Sequence, residues 1–358
     1  MSDDTEPLPS MLVTAVGSLP HLNAGQAVQL ILDTLRDAPH APQLPRMDPR
    51  EQMWIQFTEY LPRFRVDLAN MRYFFDTSGD PFAEIEEFYH LYLKVIEGGT
   101  PDAFAIGPEF GKGIGHLLTR LQQEGLRFPF LKVQVTGPLS FALTVPDETG
   151  KPVFYHSVFR DIAVKGMGLK AVWLLEQFKH FAERIIIFFD EPSLSAYGSS
   201  AMLGVSAGDV VESLNDVIQM VLDRGGIPGI HCCGNTDWSL VVKTATRIVN
   251  FDAVDYMDSL ALYSTDLQSF LDRGGLIAWG AVPNTAQAET ETAADVVKRI
   301  REGMKLLEGS GVDRSLLRRR LMITPACGCA GLNEFQAGYV YRLLSELEKT
   351  APVEIFQA

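Results

Sequence analysis

The chain has 358 residues, 46% of them hydrophobic and 21% charged, a balance that excludes disorder over most of its length. Its formal net charge of −14 repels phosphate backbones and anionic lipid, which disfavours nucleic-acid and membrane-surface roles. Length alone suggests two domains of about 150 residues each, but α/β barrels commonly exceed about 250 residues as one unit, so pattern has to decide.

The N-terminus, MSDDTEPLPS, is acidic and lacks both the basic and the apolar region of a secretory signal. The longest apolar stretches, such as 185–189, are far shorter than the roughly 20 residues of a spanning helix. A cytoplasmic protein with no membrane partner is the expectation. Residues 1–10 and 351–358 are expected to be flexible tails around one catalytic unit, 11–350.

Along the chain, short runs rich in Val, Ile and Phe alternate with longer amphipathic segments, as parallel strands and crossover helices require. Eight runs predict strands, at 12–17, 103–107, 131–136, 184–190, 226–232, 247–252, 276–281 and 321–325. Helical patterns fall at 24–36, 161–181, 207–223, 293–307 and 333–347. The fold class predicted is α/β, a (β/α)8 TIM barrel with a long insertion after the first strand, about 22–100. A turn signal at 146–155 marks a second excursion over the C-terminal face, where barrel loops carry function.

Unusual polar residues fall at the C-terminal ends of these runs: Gly17-Ser18-Leu19-Pro20-His21, Thr136-Gly137-Pro138, Asp190-Glu191-Pro192, His231-Cys232-Cys233-Gly234-Asn235, Asn250-Phe251-Asp252 and Pro325-Ala326-Cys327-Gly328-Cys329. In a barrel they converge on one mouth. All four cysteines lie in two of these motifs. On an extended strand end, residues i and i+2 point the same way, so His231 and Cys233 can grip one ion while Cys232 turns outward. A neighbouring strand can supply Cys327. Two thiolates and an imidazole suit Zn²⁺, and three protein ligands leave a replaceable fourth position. The alternative is four cysteines acting as small hydrophobes beside a core histidine.

Taken together, His231-x-Cys233, Pro325-x-Cys327-Gly328, Asp190-Glu191-Pro192, Thr136-Gly137-Pro138 and Gly17-Ser18-x-Pro20 resemble the catalytic domain of cobalamin-independent methionine synthase. More broadly, they resemble the superfamily it shares with uroporphyrinogen decarboxylases and corrinoid methyltransferases. The resemblance implies a barrel whose zinc binds the homocysteine thiol and presents it for methylation. His231, Cys233 and Cys327 match the zinc-ligand motifs. Where the family has a further Glu ligand, the corresponding run offers Asp252, with Asp255 as the runner-up. Asp190 matches the carboxylate that holds the amino group of homocysteine; Glu51 and the Ser18 backbone are further candidate substrate contacts. The four catalytic candidates are thus Asp190, His231, Cys233 and Cys327.

A free thiol, with a pKa near 8.5, is little ionised at neutral pH, and zinc coordination removes its proton. Two departures from the family bear on the methyl donor. The full-length family enzyme is roughly twice as long, and its histidine after the seventh strand, thought to support protonation of the folate nitrogen, has no counterpart in Trp279-Gly280-Ala281-Val282-Pro283-Asn284. Methylcobalamin releases its methyl group without a proton, so a methylcobalamin or corrinoid-protein donor is expected over methylfolate. Rival expectations are another thiol acceptor, a metal-free decarboxylase-like barrel, and a non-catalytic zinc-dependent protein that docks a corrinoid partner. Gly111-Lys112-Gly113-Ile114-Gly115 fails the phosphate-loop spacing, and Arg318, Arg319 and Arg320 with Arg314 upstream suggest a solvated helix end.

Overall fold

The computed structural model describes residues 11–356, so the expected tail at 1–10 lies outside the described residues. Its strands are β1 (Met11–Val13), β2 (Phe64–Asp67), β3 (Arg72–Phe75), β4 (Phe128–Thr136), β5 (Ala182–Asp190), β6 (Ile227–Cys232), β7 (Ile248–Asp252), β8 (Leu276–Val282) and β9 (Leu321–Pro325). Seven of them form one parallel sheet in the order β1-β9-β8-β7-β6-β5-β4, and β2 pairs with β3 as a separate antiparallel hairpin. Seven of the eight predicted runs are therefore strands.

The run 103–107 is not a strand. Between Pro101 and Pro108 it forms a 3₁₀ turn, Asp102–Phe104, and Phe104 and Ile106 are buried by packing rather than by a ladder. The missing stave comes from 37–44, which follows the helix Ala24–Thr34 and lies between β1 and β4. On the β4 side Phe130 N donates to Asp37 O, Lys132 N to Pro39 O and Ala41 N to Lys132 O, each at 2.9 Å. On the other side Gln43 N donates to Gly17 O at 3.1 Å and Leu19 N to Gln43 O at 2.9 Å. These bonds close the sheet, so the long segment after β1 contains a whole helix–strand unit before the extra chain begins.

The interior confirms the closure. One buried apolar cluster draws on all eight staves, with Leu12, Ala38, Phe130, Ile186, Phe188, Ile227, Ile248, Leu276, Ala278 and Met322. Side chains two residues further along a strand point the same way, so the next interior positions towards the mouth include Thr14, Lys132, Asp190, Asn250 and Thr324. Going up the barrel, the filling therefore changes from hydrocarbon to polar groups.

Elsewhere, Phe75 N donates to Pro146 O at 3.0 Å, tying the β2–β3 hairpin to the turn after β4, and Thr136 Oγ1 donates to Met53 O at 2.6 Å, bringing the extra segment over the β4 end of the mouth. The helix Glu334–Phe356 continues through most of the expected C-terminal tail, with Ala351 and Ile355 buried. No helix among the described residues is long and apolar enough to cross a membrane.

Candidate metal centre

His231 and Cys233 lie at and just beyond the end of β6, and Cys327 two residues beyond β9. One ligand atom from each can be chosen so that all three lie within 4.8 Å of one another, the only such group among the described residues. A tetrahedral zinc with bonds of 2.0–2.3 Å holds its ligand atoms about 3.5 Å apart, so small side-chain movements suffice.

The histidine is prepared for this role. Its Nδ1 is 2.6 Å from Asn250 Oδ1, on the neighbouring strand β7. Asn250 donates its own Nδ2 hydrogens to Ala278 O at 2.9 Å and Thr324 Oγ1 at 2.8 Å, so its oxygen must face the imidazole. Nδ1 then carries the proton and Nε2 keeps its lone pair. Nε2 is buried and has no hydrogen-bond partner, as a metal-ligating nitrogen requires. Asn250 was visible in sequence only as part of a strand end; a carboxamide inside the apolar run Ile248-Val249-Asn250-Phe251 was the signal.

Cys232 turns outward as the alternation predicts, whereas Cys327 and Cys329 divide because the chain bends beyond β9. Cys232 and Cys329 are buried in the layer between barrel and helices, and burial pushes both thiols up to about 12. The hydrogen bond from Cys327 and the nearby His231 imidazole hold Cys233 well below the ordinary thiol range, while the bond to Cys233 and burial push Cys327 upwards. A thiolate at Cys233 with a proton on its neighbour is the charge state from which a cation displaces one proton.

The loop bearing Cys327 is fastened to both neighbouring strand ends. Cys329 N donates to Ser18 O at 2.8 Å, Asn284 Nδ2 to Gly328 O at 3.1 Å and Ala326 N to Val282 O at 2.8 Å. Gly328 packs so closely on Ser18 that a β-carbon would collide with its hydroxyl. Gly17, at φ +144°, has no room for a side chain against Gln134 either. Ser18 thus borders the metal group, with its carbonyl committed to the Cys327 loop.

The four carboxylates singled out in sequence meet different fates. Asp190 projects into the barrel beside His231, and its Oδ1 is buried without a partner. Burial pushes its carboxyl upwards against the attraction of Lys132 and His231. Asp252 is close enough to Cys233 to feel its charge but stands outside the three-residue group. Its Oδ1 accepts from Val254 N at 2.8 Å and Asp255 N at 3.1 Å; Asp255 itself is exposed. Glu51, a candidate substrate contact by sequence, is fully buried, with one oxygen accepting from Leu44 N at 2.7 Å and the other from Gly113 N at 2.9 Å. It staples the second stave to the helix Lys112–Glu124 and fills the helix end that the glycine-rich stretch forms.

Glu191, next to Asp190, is likewise spent on backbone, accepting from Leu139 N and Ser140 N at 2.9 and 2.7 Å and so capping the helix Pro138–Thr144. Among these groups only Asp190 keeps a buried, unused oxygen facing the interior.

By sequence the chain matches no family profile and no curated protein. By structure it is similar to a B12-independent methionine synthase from Shewanella sp. W3-18-1, described in complex with selenomethionine, at 15% identity and a TM-score of 0.55, over 99% of this chain and 100% of that one. It is also similar to a methyltransferase from Methanosarcina mazei, at 11% identity and a TM-score of 0.53, over 96% and 95% of the two chains. At such identities these likenesses establish a shared fold.

Proposed function

We propose that the chain is a zinc-dependent methyltransferase that moves a methyl group onto a thiol, with homocysteine as the acceptor and methionine as the product. The observation that carries this is the His231–Cys233–Cys327 group, with a free Nε2, at the mouth of a fold shared with proteins described as a methionine synthase and a methyltransferase. A metal-free decarboxylase-like barrel gives no reason for two thiols and an imidazole to converge.

His231, Cys233 and Cys327 would hold the ion, Asn250 orients the imidazole, and the fourth position is left to the acceptor sulfur. Bound there, zinc supplies a lowered thiol pKa and keeps the sulfur nucleophilic. Asp252 is the alternative fourth ligand through Oδ2, its Oδ1 being held by two turn amides. The unpartnered Oδ1 of Asp190 suits the acceptor's ammonium, a pairing strengthened by burial. Ser18, in the segment after β1, borders the metal group through its side chain, its carbonyl being held by Cys329 N.

For the donor, the stretch after β8 supports methylcobalamin, free or on a corrinoid protein. It offers no imidazole to protonate a folate nitrogen, and Asn284 is tied to Gly328 O. Chain length does not discriminate, since this chain spans the whole of the Shewanella protein described as B12-independent.

The test is zinc analysis of the purified protein followed by a donor and acceptor screen. One zinc per chain and methionine formation from homocysteine and methylcobalamin are expected. Transfer from methylfolate but not methylcobalamin overturns the donor assignment; a zinc-loaded protein that methylates no thiol overturns the function. Asp190→Asn should raise the KM for homocysteine while zinc content stays unchanged.

A further inference from the structure

The helix Phe82–Ile96, in the extra segment after β1, adds a third layer to the barrel wall. It packs outside the helix Ser157–Phe178, which is itself buried along most of its length between the sheet and this cover. The outer helix is held firmly. Phe88 and Val95 are buried, and Phe88 packs edge-on against Phe104 with ring centres 5.8 Å apart. Tyr89 donates its hydroxyl to Asp161 Oδ2 at 2.5 Å, Arg63 pairs with Glu84 near one end, and Arg224 donates to Gly99 O at 2.9 Å beyond the other.

The same helix carries a second apolar stripe. At about 3.6 residues per turn, Phe82, Ile85, Tyr89, Leu93 and Ile96 share one face, about 110° round from Phe88 and Val95. Phe82, Leu93 and Ile96 are 68%, 54% and 47% exposed, and Ile85 and Tyr89 are half-buried. With Glu86 and His90 on one flank, the stripe lines a shallow groove of ≈ 420 Å³. Single exposed apolar side chains are ordinary, but a continuous row of them marks a contact surface.

The spacing specifies what covers it. Ile85 and Leu93 stand four residues to either side of Tyr89, and Phe82 and Ile96 seven residues to either side. Such a row reads the same in both directions, so its complement is its own reverse. Two copies packed antiparallel about a two-fold axis at Tyr89 set Phe82 against Ile96 of the second copy and Ile85 against Leu93 of the second copy. Steps of three and four residues are those of helices that interlock at about 20°. An unrelated protein would place no such demand on the row.

Charge fits the same arrangement. The two-fold axis brings each copy's Glu86 towards the other's His90 and keeps the two Glu86 carboxylates about 9 Å apart along the helix axis. Glu84, Glu87 and Lys94 fall on the far side of the helix, so the pairing buries no like charges.

We infer that this face is a dimer interface, in which two copies of the chain pair through their Phe82–Ile96 helices, antiparallel about Tyr89. It lies outside the barrel wall and does not depend on the methyl-transfer assignment.

The test is sedimentation equilibrium of the full-length protein. Reversible association from 39.6 kDa towards twice that mass is expected, with Kd between about 1 and 100 µM, because one helix face is a small interface. Each chain carries a net charge of −14, so the dimer should tighten as salt rises, whereas weakening would place a charge-driven contact elsewhere and overturn the assignment. Leu93→Glu alters a side chain more than half exposed, should leave thermal stability near wild type, and should weaken association at least about tenfold. His90→Cys, beside the axis, should add a cross-link through a short bis-maleimide that wild type lacks, and Lys94→Cys, on the far side, should not. A single 39.6 kDa species at every concentration overturns the inference, and so does a dimer that Leu93→Glu leaves intact. Equal cross-linking of the two cysteine variants overturns the antiparallel register.

Discussion

The barrel is built in two ways. From β5 through β8 the strands pair in continuous register, Asp190 with His231, His231 with Asn250, Asn250 with Ala278, and β9 joins with one register shift at Gly280–Val282; along this arc side chains are free to do chemistry. Across β1, residues 37–44 and β4 the backbone ladder is sparse and side chains complete it. Thr14 Oγ1 donates to Ala38 O at 2.7 Å, Gln134 Nε2 to Ala41 O at 3.0 Å, and Lys132 Nζ to Val16 O and, at 3.1 Å, to Gln134 Oε1. His40, kept neutral by burial and by Lys132, lies between Ala41 O and the Tyr341 hydroxyl. Asp190, His231 and Cys233 of the regular arc thus keep atoms available to a ligand, whereas the polar side chains of the irregular arc are consumed as structure. The same residue types at the same depth in one barrel differ in role according to whether the backbone beside them is already satisfied.

The largest expected effect comes from emptying the regular arc. Cys233→Ala or Cys327→Ala should drop zinc from about one per chain to below about 0.1 and methyl transfer by at least about a thousandfold, with unchanged far-ultraviolet circular dichroism. Full zinc retention in either variant would remove that cysteine from the ligand set.

Next is Asn250→Ala, which leaves the ligands but frees the imidazole to rotate. Zinc affinity, measured by competition with a chelator, should fall about 10- to 100-fold. An unchanged affinity would reduce Asn250 to a packing residue.

Lys132→Met probes the irregular arc. It strands the buried Val16 carbonyl, at a cost of about 1–3 kcal/mol in denaturant unfolding. Hydrogen exchange should accelerate at 37–44 while the amides of β5 to β9 keep their protection. Uniform acceleration would show that the two arcs open together.

The smallest effect concerns Lys170, whose buried Nζ donates to Phe104 O and Ala105 O, at 3.0 and 3.1 Å, and so holds the turn that failed to become a strand. Burial pulls it down to about 7 from an ordinary 10.5. Between those values the unfolded chain binds more protons than the folded one, so this group makes stability rise with pH, by about 1 kcal/mol from pH 7 to 8. Lys170→Met should flatten that rise relative to wild type; an identical slope would show that Lys170 titrates normally.

The regular arc was legible in sequence because it follows the simple rules: apolar runs, period-two alternation and polar residues at the strand ends. Those rules located His231, Cys233, Cys327 and Asp190 on one mouth. The irregular arc was not, for an equally physical reason. Residues 37–44 carry Pro39 and Pro42, which cannot donate to a ladder, and His40 and Gln43 in place of an apolar run. The run 103–107 has strand-like composition but lies between two prolines. Lys132, inside Leu131-Lys132-Val133-Gln134-Val135, looked like ordinary alternation until the sheet closed around it. Glu51 and Glu191 show the limit most plainly, because only the position of backbone amides reveals whether a buried carboxylate is still free to bind.

The attachment of the Cys327 loop to Ser18 also orders events in time. His231 and Cys233 are synthesised about 90 residues before Cys327, and the loop that carries Cys327 is anchored on the first strand of the chain. A nascent chain therefore has two of the proposed donors and not the third until β9 has been made and has met β1. An ion held by all three proposed ligands would in consequence report that the barrel had closed.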